Sequence, residues 1–245
     1  MSVYGFADFK VDITPRFGYS CELLEPYKIN DDEAADFSAT ASDEDIGGEY
    51  EKDESVTLAY RESLCILRNI SRNLLLTGNG FLFHASVVAY KNEAYAFTAA
   101  SGTGKSTHTA LLKNLLKNEL IYVNDDKPFV RYFPEEKTFY AYGSCWNGKH
   151  SLGENVKFPL TAIIFLERGK ENSVIRITNP IEFLPELINQ IFYPEDAFQA
   201  ENLLNLLQIA FEKITFYKLK CNMESDAPLT SFKHIFCDKK GDGRQ

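Results

Sequence analysis

The sequence of 245 residues predicts an α/β protein, and two observations carry that expectation. Strand-like segments at 93–98 and 121–123 lie on either side of a helix expected from Lys105 to about Lys117. A loop of small residues joins the first strand to that helix. Strand, loop, helix and strand in this order form the start of an α/β unit.

The first 76 residues are expected to add strands, an acidic segment and a helix to this core. Residues 3–29 predict short strands and turns, because apolar and polar residues alternate and Pro15 interrupts them. The stretch 31–54 contains eleven acids and one lysine and is typical of a mobile solvated loop, with acidic-edged strands as the alternative. A helix is predicted over 55–76, since leucines and isoleucines recur on one face and Gly78 can end it.

The remaining elements follow from hydrophobic patterning. Residues 81–90 predict one strand, 129–142 a hairpin around 134–137, and 143–155 a polar loop. Strands are expected at 160–166, 174–178 and 214–220, and helices at 181–192 and 195–212. We expect residues 77–238 to form the core, with residues 1–76 packed on it in one compact unit, and residues 239–245 to form a frayed tail.

Composition excludes several classes of protein. Apolar residues make up 44% and charged residues 25%, which is ordinary for a globular domain. The net charge is −9, and the sequence contains no dense Lys/Arg cluster. Nucleic acid is therefore not an expected partner. The sequence has no membrane-length apolar run and no secretory signal, and its five cysteines have no metal-site spacing. We therefore expect a cytoplasmic protein with reduced thiols and no membrane partner.

The segment from Ser101 to Thr107, SGTGKST, is the strongest signal in the chain. Gly102 and Gly104 let the backbone curl so that its N–H groups, with the helix N-terminus, meet phosphate oxygens. Lys105 adds a positive charge at the terminal phosphates, and the Ser106 hydroxyl suits Mg²⁺. Ala99 stands where the full motif has glycine. The segment, including Thr103, predicts a nucleotide-binding loop for ATP or GTP with Mg²⁺.

Two adjacent carboxylates, Asp125 and Asp126, end the strand that follows the loop helix. Successive side chains on an extended chain point in opposite directions, so one carboxylate can face the transferred phosphoryl group and the other the metal. His84 lies on the strand preceding the loop strand. As a lone residue it is more typical of a core histidine than of a functional one.

Together, His84-Ala85, the SGTGKST loop and the strand ending in Asp125-Asp126 resemble the HPr kinase/phosphorylase family and its phosphoenolpyruvate carboxykinase-like relatives. The resemblance covers about residues 81–130 and, more weakly, 143–167. It implies a P-loop-containing mixed sheet of that type with flanking helices. Residues 1–75 do not resemble the N-terminal domain of the full HPr kinase.

The resemblance also implies roles for individual residues. Asp125 matches the family's base that deprotonates the acceptor serine, and Asp126 matches the carboxylate that supports the metal and phosphate site. His84 matches the family's histidine near the phosphate, and Lys105 and Ser106 match the loop lysine and serine.

Downstream, the family has a basic, glycine-containing signature that this chain does not reproduce in an unambiguous form. Lys149 and Arg168 are the candidate phosphate or substrate contacts in its place. Trp146 either stacks on a base or substrate or anchors its loop. The family's full-length enzymes are oligomeric, so a homo-oligomer is compatible with the resemblance.

The function implied is an ATP-dependent phosphotransferase that phosphorylates a hydroxyl, on a serine of a peptide or protein or on a small alcohol. The alternative is a nucleotide-binding regulatory or scaffold protein without phosphoryl transfer. A carboxykinase acting on oxaloacetate is disfavoured, because it needs a cationic dicarboxylate pocket and more metal ligands than the motifs supply.

Overall fold

The computed structural model describes residues 2–29, 34–48, 55–222 and 224–237. The expected frayed tail, 239–245, and part of the acidic stretch, 31–33 and 49–54, lie outside the described residues. The strands, in chain order, are β1 Ser2–Phe6, β2 Phe9–Ile13, β3 Phe37–Ser38, β4 Gly80–Leu82, β5 Ala85–Tyr90, β6 Glu93–Thr98, β7 Leu120–Asn124, β8 Phe129–Phe133, β9 Thr138–Tyr142, β10 Lys157–Arg168, β11 Ser173–Arg176 and β12 Thr215–Cys221. The α-helices are α1 Gly18–Leu24, α2 Asp43–Gly48, α3 Leu58–Thr77, α4 Lys105–Leu116, α5 Leu184–Ile188, α6 Ala197–Lys213 and α7 Ala227–Ser231.

The molecule is a mixed α/β structure organised around the long strand β10. The first residues of β10 pair antiparallel with β9, which continues through β8 to β4. Its second half lies between β6 and β12 and is parallel to both. Strand β5 is antiparallel to β6 and to β7, so β6, β7, β10 and β12 run in one direction. Their carboxyl ends therefore meet at one edge of the sheet.

Helices cover both faces of this sheet because residues along each strand alternate between two cores. On β5, Val87 joins a core formed with helices α5 and α6, whereas Val88 joins the core under α4 and α7. On β10, Ile163 and Ile164 divide between the cores in the same way. This alternation places α4, which begins at Lys105, on one face and α6 on the other.

A third core joins the N-terminal segment to the sheet. Apolar residues of β1 and β2 pack against helix α3, and the cluster continues to Phe129 and Trp146. Phe6 lies at its centre, with ring centroids 6.3 Å from Phe129 and 5.7 Å from Trp146. The N-terminal segment is thus packed against the loop that follows β9.

Several predicted elements are correct and others are not. The helix over 55–76, the strands around the glycine loop, the hairpin and the helix over 195–212 are confirmed with small shifts at their ends. Residues 18–24 form helix α1 where strands and turns were expected, and the described part of the acidic stretch contains β3 and α2 rather than a structureless loop. Three acids in the first turn of α2 suit the positive end of the helix dipole.

Two differences affect the site directly. The strand predicted over 81–90 is two strands, since β4 pairs with β8 whereas β5 pairs with β6 and β7. His84 lies in the break between them. The helix predicted over 181–192 is a 3₁₀ turn, Pro180–Phe183, followed by the short α5, and the chain then crosses back so that Phe83 bridges Ile191. Helix α7 has no counterpart among the predicted elements.

Candidate functional site

The carboxyl ends of β6, β7 and β10 bring the predicted site residues to one edge of the sheet. Strand β6 leads into the glycine loop, which we define as residues 99–104, and β7 leads into Asp125 and Asp126. Strand β5 lies between them and runs in the opposite direction, so its first residues, next to His84, reach the same edge. Strand β10 ends there at Arg168.

The glycine loop uses backbone conformations that favour glycine. Gly102 has φ of 76° and Gly104 has φ of 123°, and Gly104 is the N-cap residue of α4. A Cβ at either position would meet no atom within 4 Å, so conformation rather than space requires glycine. The N-terminus of α4 opens at this loop, where unpaired backbone N–H groups favour an anion.

Lys105 is held beneath the loop. Lys105 is only 7% exposed, and its Nζ donates a hydrogen bond to the Ala99 carbonyl at 2.9 Å. Burial lowers the pKa of Lys105, and nearby Lys127 acts in the same direction, whereas the charges of Asp126 and Asp125 oppose the shift. A desolvated ammonium group at a helix N-terminus is matched to an anionic ligand.

The other predicted loop residues differ in exposure. Ser106 is half-buried in the first turn of α4, and Ser101 and Thr107 are exposed. Thr103 N–H donates to the Ala100 carbonyl at 3.2 Å, which closes the loop as a tight turn. The hydroxyls of Ser101, Ser106 and Thr107 are thus within or next to the loop.

Arg168 supports the loop from the neighbouring strand. Its Nε donates to the Thr103 carbonyl at 3.1 Å, and a terminal nitrogen donates to the Gly102 carbonyl. Two donors of one planar guanidinium therefore hold two successive carbonyls of the loop. This contact directs the carbonyls toward β10.

Asp125 directly follows β7 and is only 5% exposed. One carboxylate oxygen accepts a hydrogen bond from Ser86 Oγ at 2.5 Å. Ser86 Oγ is also 2.9 Å from Thr109 Oγ1 on α4. This short network ties the carboxylate to β5 and to the helix that follows the glycine loop.

The side chain of Asp126 is more accessible, at 32% exposed. Its Oδ1 is 3.3 Å from His84 Nε2 and 3.7 Å from Lys127 Nζ. Burial acts to raise the pKa of Asp126, but the His84 hydrogen bond and the charges of Lys127, His84 and Lys105 outweigh it, so the pKa is lowered. Asp126 is therefore a carboxylate kept ionised among cationic and hydrogen-bonding neighbours.

Gln190 orients His84 and was not anticipated from the sequence. His84 Nδ1 is 3.0 Å from Gln190 Oε1, and His84 N–H donates to the Gln190 backbone carbonyl at 2.7 Å. The Gln190 contact at Nδ1 turns Nε2 toward Asp126, and the ionised carboxylate of Asp126 accepts a hydrogen bond from Nε2 when that nitrogen carries a proton. The two residues are 106 positions apart, and no local pattern around Gln190 predicts the pairing.

Asn124 fixes the turn that carries the two carboxylates. Its fully buried side-chain oxygen accepts hydrogen bonds from Asp126 N–H at 2.8 Å and Lys127 N–H at 2.6 Å. Its amide nitrogen donates to the Ser144 carbonyl and to Asn147 Oδ1. An asparagine at the strand end is the sequence signal for such a turn, because its side chain hydrogen-bonds backbone groups two residues onward.

The loop after β9 brings two further predicted residues near the carboxylates. Trp146 is buried against Phe6, and its carbonyl accepts a hydrogen bond from Lys127 N–H at 3.2 Å. Lys149 is exposed in the 3₁₀ turn Gly148–His150. A Cβ on Gly148 would lie 3.0 Å from Asp126 Cβ, so this turn closely approaches the second carboxylate.

A cavity of about 780 Å³ extends along the glycine loop. It is lined by residues 98–103, by the end of β10 and by side chains including Phe183, Asn189, Gln190 and Lys218. A second cavity of about 430 Å³ lies on the other side of Arg168, toward α4. Either volume is of the size that small-molecule sites commonly have.

Within the described ranges, no group of three or more His, Cys, Asp or Glu side chains is arranged to hold a metal ion. Of the helices in the described part of the chain, none is both long and apolar enough to cross a membrane.

No family model matches the chain, and no curated protein matches it. Among solved structures, the Hpr(Ser) kinase/phosphatase from Coxiella burnetii is similar, with 10% sequence identity and a TM-score of 0.37. The match covers 63% of this chain and 90% of that chain. At this identity and TM-score the likeness assigns neither a family nor an activity to the protein.

Proposed function

We propose that the protein is an ATP-dependent phosphotransferase that phosphorylates a hydroxyl group, in the manner of an HPr serine kinase. One observation carries the proposal: a glycine loop with a buried lysine lies at the same sheet edge as a carboxylate pair and a histidine. Phosphoryl transfer depends mainly on positioning and on charge stabilisation, and these groups are suited to both tasks.

The residues of the loop fit a nucleoside triphosphate with Mg²⁺. Gly102 and Gly104 have left-handed conformations, and α4 presents its N-terminus there. Lys105, desolvated beneath the loop, would neutralise the terminal phosphates, and Ser106 would supply an oxygen to the cation. Bound Mg-ATP would supply the phosphoryl group. The proposal covers ATP and GTP alike, since these residues would meet only the phosphates and the cation.

The two carboxylates are proposed to have different tasks. The sequence resemblance gives the base role to Asp125 and the metal-supporting role to Asp126. The exposure of the two residues favours the reverse assignment, because Asp126 is partly exposed whereas Asp125 is buried and accepts a hydrogen bond from Ser86. We therefore propose that Asp126 accepts the proton of the acceptor hydroxyl and that Asp125 stabilises the loop helix and cation site.

His84 is proposed to position Asp126. Its Nε2 contacts Asp126 Oδ1, and Gln190 fixes the ring through Nδ1. The acceptor in this proposal is a serine on a peptide or protein, or a small alcohol. Lys149 remains a proposed phosphate or substrate contact. For Arg168 we propose instead a positioning role, since it holds the glycine loop through the Thr103 and Gly102 carbonyls.

Matched asparagine variants test the assignment. Asp126→Asn should keep Mg-ATP binding and lower transfer to a serine-peptide pool by about 10²-fold or more, the usual scale for a general base. Asp125→Asn should cause a smaller loss, because the amide can still accept the Ser86 hydrogen bond. Transfer would be followed by phosphoserine mass spectrometry.

A larger loss in Asp125→Asn than in Asp126→Asn would restore the assignment implied by the sequence. Normal Mg-ATP binding with no transfer to any hydroxyl would instead favour a nucleotide-binding regulatory or scaffold protein.

A further inference from the structure

A cavity of about 430 Å³, which we call the α4 cavity, adjoins the glycine loop on the side of helix α4. Its lining comes from loop residues 102–104, from Thr107 and Leu111 of α4, and from Arg168 and Asn222 near the ends of β10 and β12. Because the loop forms one wall, a ligand held on the loop can extend directly into the cavity. The volume is within the range of about 300–1,000 Å³ that small-molecule sites commonly have.

The order of the strands gives a direction to a triphosphate on the loop. Strand β6, which leads into the loop, lies between β5 and β10. Beyond β5 lies β7, which leads into Asp125 and Asp126, whereas beyond β10 lies β12. The terminal phosphate has to reach the carboxylates for phosphoryl transfer, so it points toward β7. The sugar and base then point toward β10 and β12, whose ends line the α4 cavity.

The larger cavity along the loop is less suited to the sugar end of the nucleotide. Glu186 lines it, as does Glu167, whose carboxylate is 2.7 Å from Lys218 Nζ. No aspartate or glutamate is among the described residues that line the α4 cavity, and Arg168 adds positive charge there. The phosphate attached to the sugar therefore meets less negative charge on the α4 side.

Apolar side chains supply much of the contact surface of the α4 cavity. Leu111 is half-buried on α4, and Leu166, near the end of β10, is buried. The buried Cys221 adds a small and weakly polar thiol. A purine ring would lose apolar surface to water in solution and recover it against such walls.

The polar groups at the ends of β10 and β12 are engaged within the fold. Gly169 N–H donates to the Cys221 carbonyl at 3.0 Å, and Asn222 N–H donates to Asn172 Oδ1 at 2.9 Å. Asn222 Nδ2 donates to the Lys170 carbonyl at 3.2 Å. These groups therefore hold the two strand ends together rather than being arranged to recognise the edge of one base.

We propose that the α4 cavity receives the sugar and base of the nucleotide, and that it binds adenine and guanine nucleotides without distinguishing them. The base packs against Leu111 and Leu166. The Thr107 hydroxyl can both donate and accept a hydrogen bond, so it suits either base. Apolar contact discriminates weakly, whereas a site built to hydrogen-bond one ligand rejects another by about 10⁴-fold or more. The assignment rests on the proposed function for the triphosphate on the loop.

The test is calorimetric titration of the full chain with the Mg²⁺ complexes of ATP, GTP and methyl triphosphate, which has the three phosphates without sugar or base. ATP and GTP should bind within about threefold of each other and about tenfold more tightly than methyl triphosphate, because only they bury a base. Methyl triphosphate that binds as tightly as ATP would overturn the assignment of the cavity. A difference of about 30-fold or more between ATP and GTP would overturn the lack of base selectivity.

Variants at Leu111 locate the base in the α4 cavity. Leu111→Asn should reduce the advantage of ATP and of GTP over methyl triphosphate by about threefold or more, because it replaces apolar contact with a polar group. Leu111→Ala is a milder second variant with an effect in the same direction. Leu115→Asn is the matched control, since Leu115 lies one turn further along α4, exposed and outside the cavity lining. An advantage of ATP that is unchanged in both Leu111 variants would contradict the proposal.

Methyl triphosphate also separates this proposal from the proposed function. Equal binding of methyl triphosphate and ATP would leave the phosphate site of the loop standing and defeat the cavity assignment alone. Nucleotide binding with the expected preferences, but without transfer to any hydroxyl, would defeat the phosphotransferase and support the cavity assignment. A wild-type protein that binds none of the three compounds would defeat both.

Discussion

At the residue scale, the buried side chain of His108 connects the loop helix α4 to two neighbouring elements. His108 on α4 is 2% exposed, and its Nε2 is 2.9 Å from Ser231 Oγ on α7. The ring also packs at 5.2 Å from Phe97, on the strand that leads into the glycine loop. His108 thus connects the loop strand, the loop helix and the C-terminal helix.

His108 makes stability depend on pH. Burial lowers the pKa of His108 from 6.5 to about 4, so the unfolded chain takes up a proton at a pH where the folded chain does not. The contribution of His108 to the free energy of unfolding is therefore fully present above pH 6.5 and is lost as the pH falls toward 4. Relative to His108→Leu, the wild type should lose about 2 kcal/mol of unfolding free energy between pH 7 and pH 5.

Urea denaturation at both pH values measures this difference. The Ser231 hydroxyl keeps its bond to the Pro228 carbonyl in the variant, so no new unpaired group complicates the comparison. His234→Leu, at an exposed histidine, controls for the loss of one imidazole. If the free energies of unfolding of the wild type and His108→Leu changed by the same amount between the two pH values, this explanation would be contradicted.

At the element scale, the glycine loop depends on its backbone conformation. Gly104→Ala places a side chain at φ of 123°, a strained position that costs on the order of 1–3 kcal/mol. We expect the loop to rearrange, with Mg-ATP affinity lowered about tenfold or more and the unfolding free energy reduced. Calorimetry and urea denaturation measure the two effects.

Gly18→Ala is the matched control for that substitution. Gly18 begins α1 and lies outside the positive-φ region, and a Cβ added there would meet no atom within 4 Å. The substitution should leave both quantities nearly unchanged. Normal nucleotide affinity in Gly104→Ala would show that the loop conformation is not used for binding.

The glycine loop and the Asp125-Asp126 turn could be located from sequence because each depends on local chemistry. Glycine spacing, helix periodicity and a strand-ending carboxylate pair lie within one short segment. The break at His84 could not be located in this way, because β4 pairs with β8, far along the chain, whereas β5 pairs with the adjacent β6 and with β7. The pairing of His84 with Gln190 is likewise a tertiary contact without a local signal.

At the scale of the whole molecule, the N-terminal segment and the site share a core. Phe6 packs on Trp146, whose carbonyl accepts a hydrogen bond from Lys127 beside the carboxylates. Arg131 of β8 also donates to the Ala7 carbonyl and lies over the Phe9 ring. These contacts support our proposal that residues 1–76 and 77–238 fold as one compact unit.

Phe6→Ala tests this proposal of a single unit. Removing a fully buried phenylalanine should cost about 3–5 kcal/mol and destabilise the entire chain in one transition. Trp146 is the only tryptophan, so its fluorescence reports on the shared core, while circular dichroism follows the helices. The two signals should change together in the wild type and in the variant.

Phe198→Ala, at an exposed position of α6, is the control and should have little effect. Separate fluorescence and circular dichroism transitions in the wild type would show two units that unfold independently.

The central claim is that the glycine loop with Lys105 binds a nucleoside triphosphate. Calorimetric titration of Mg-ATP into the wild type and into Lys105→Ala tests it most directly, with Lys113→Ala on the same helix as the matched control. We predict binding to the wild type and to Lys113→Ala, and its loss in Lys105→Ala. No binding to the wild type, or equal binding to all three proteins, would contradict the claim.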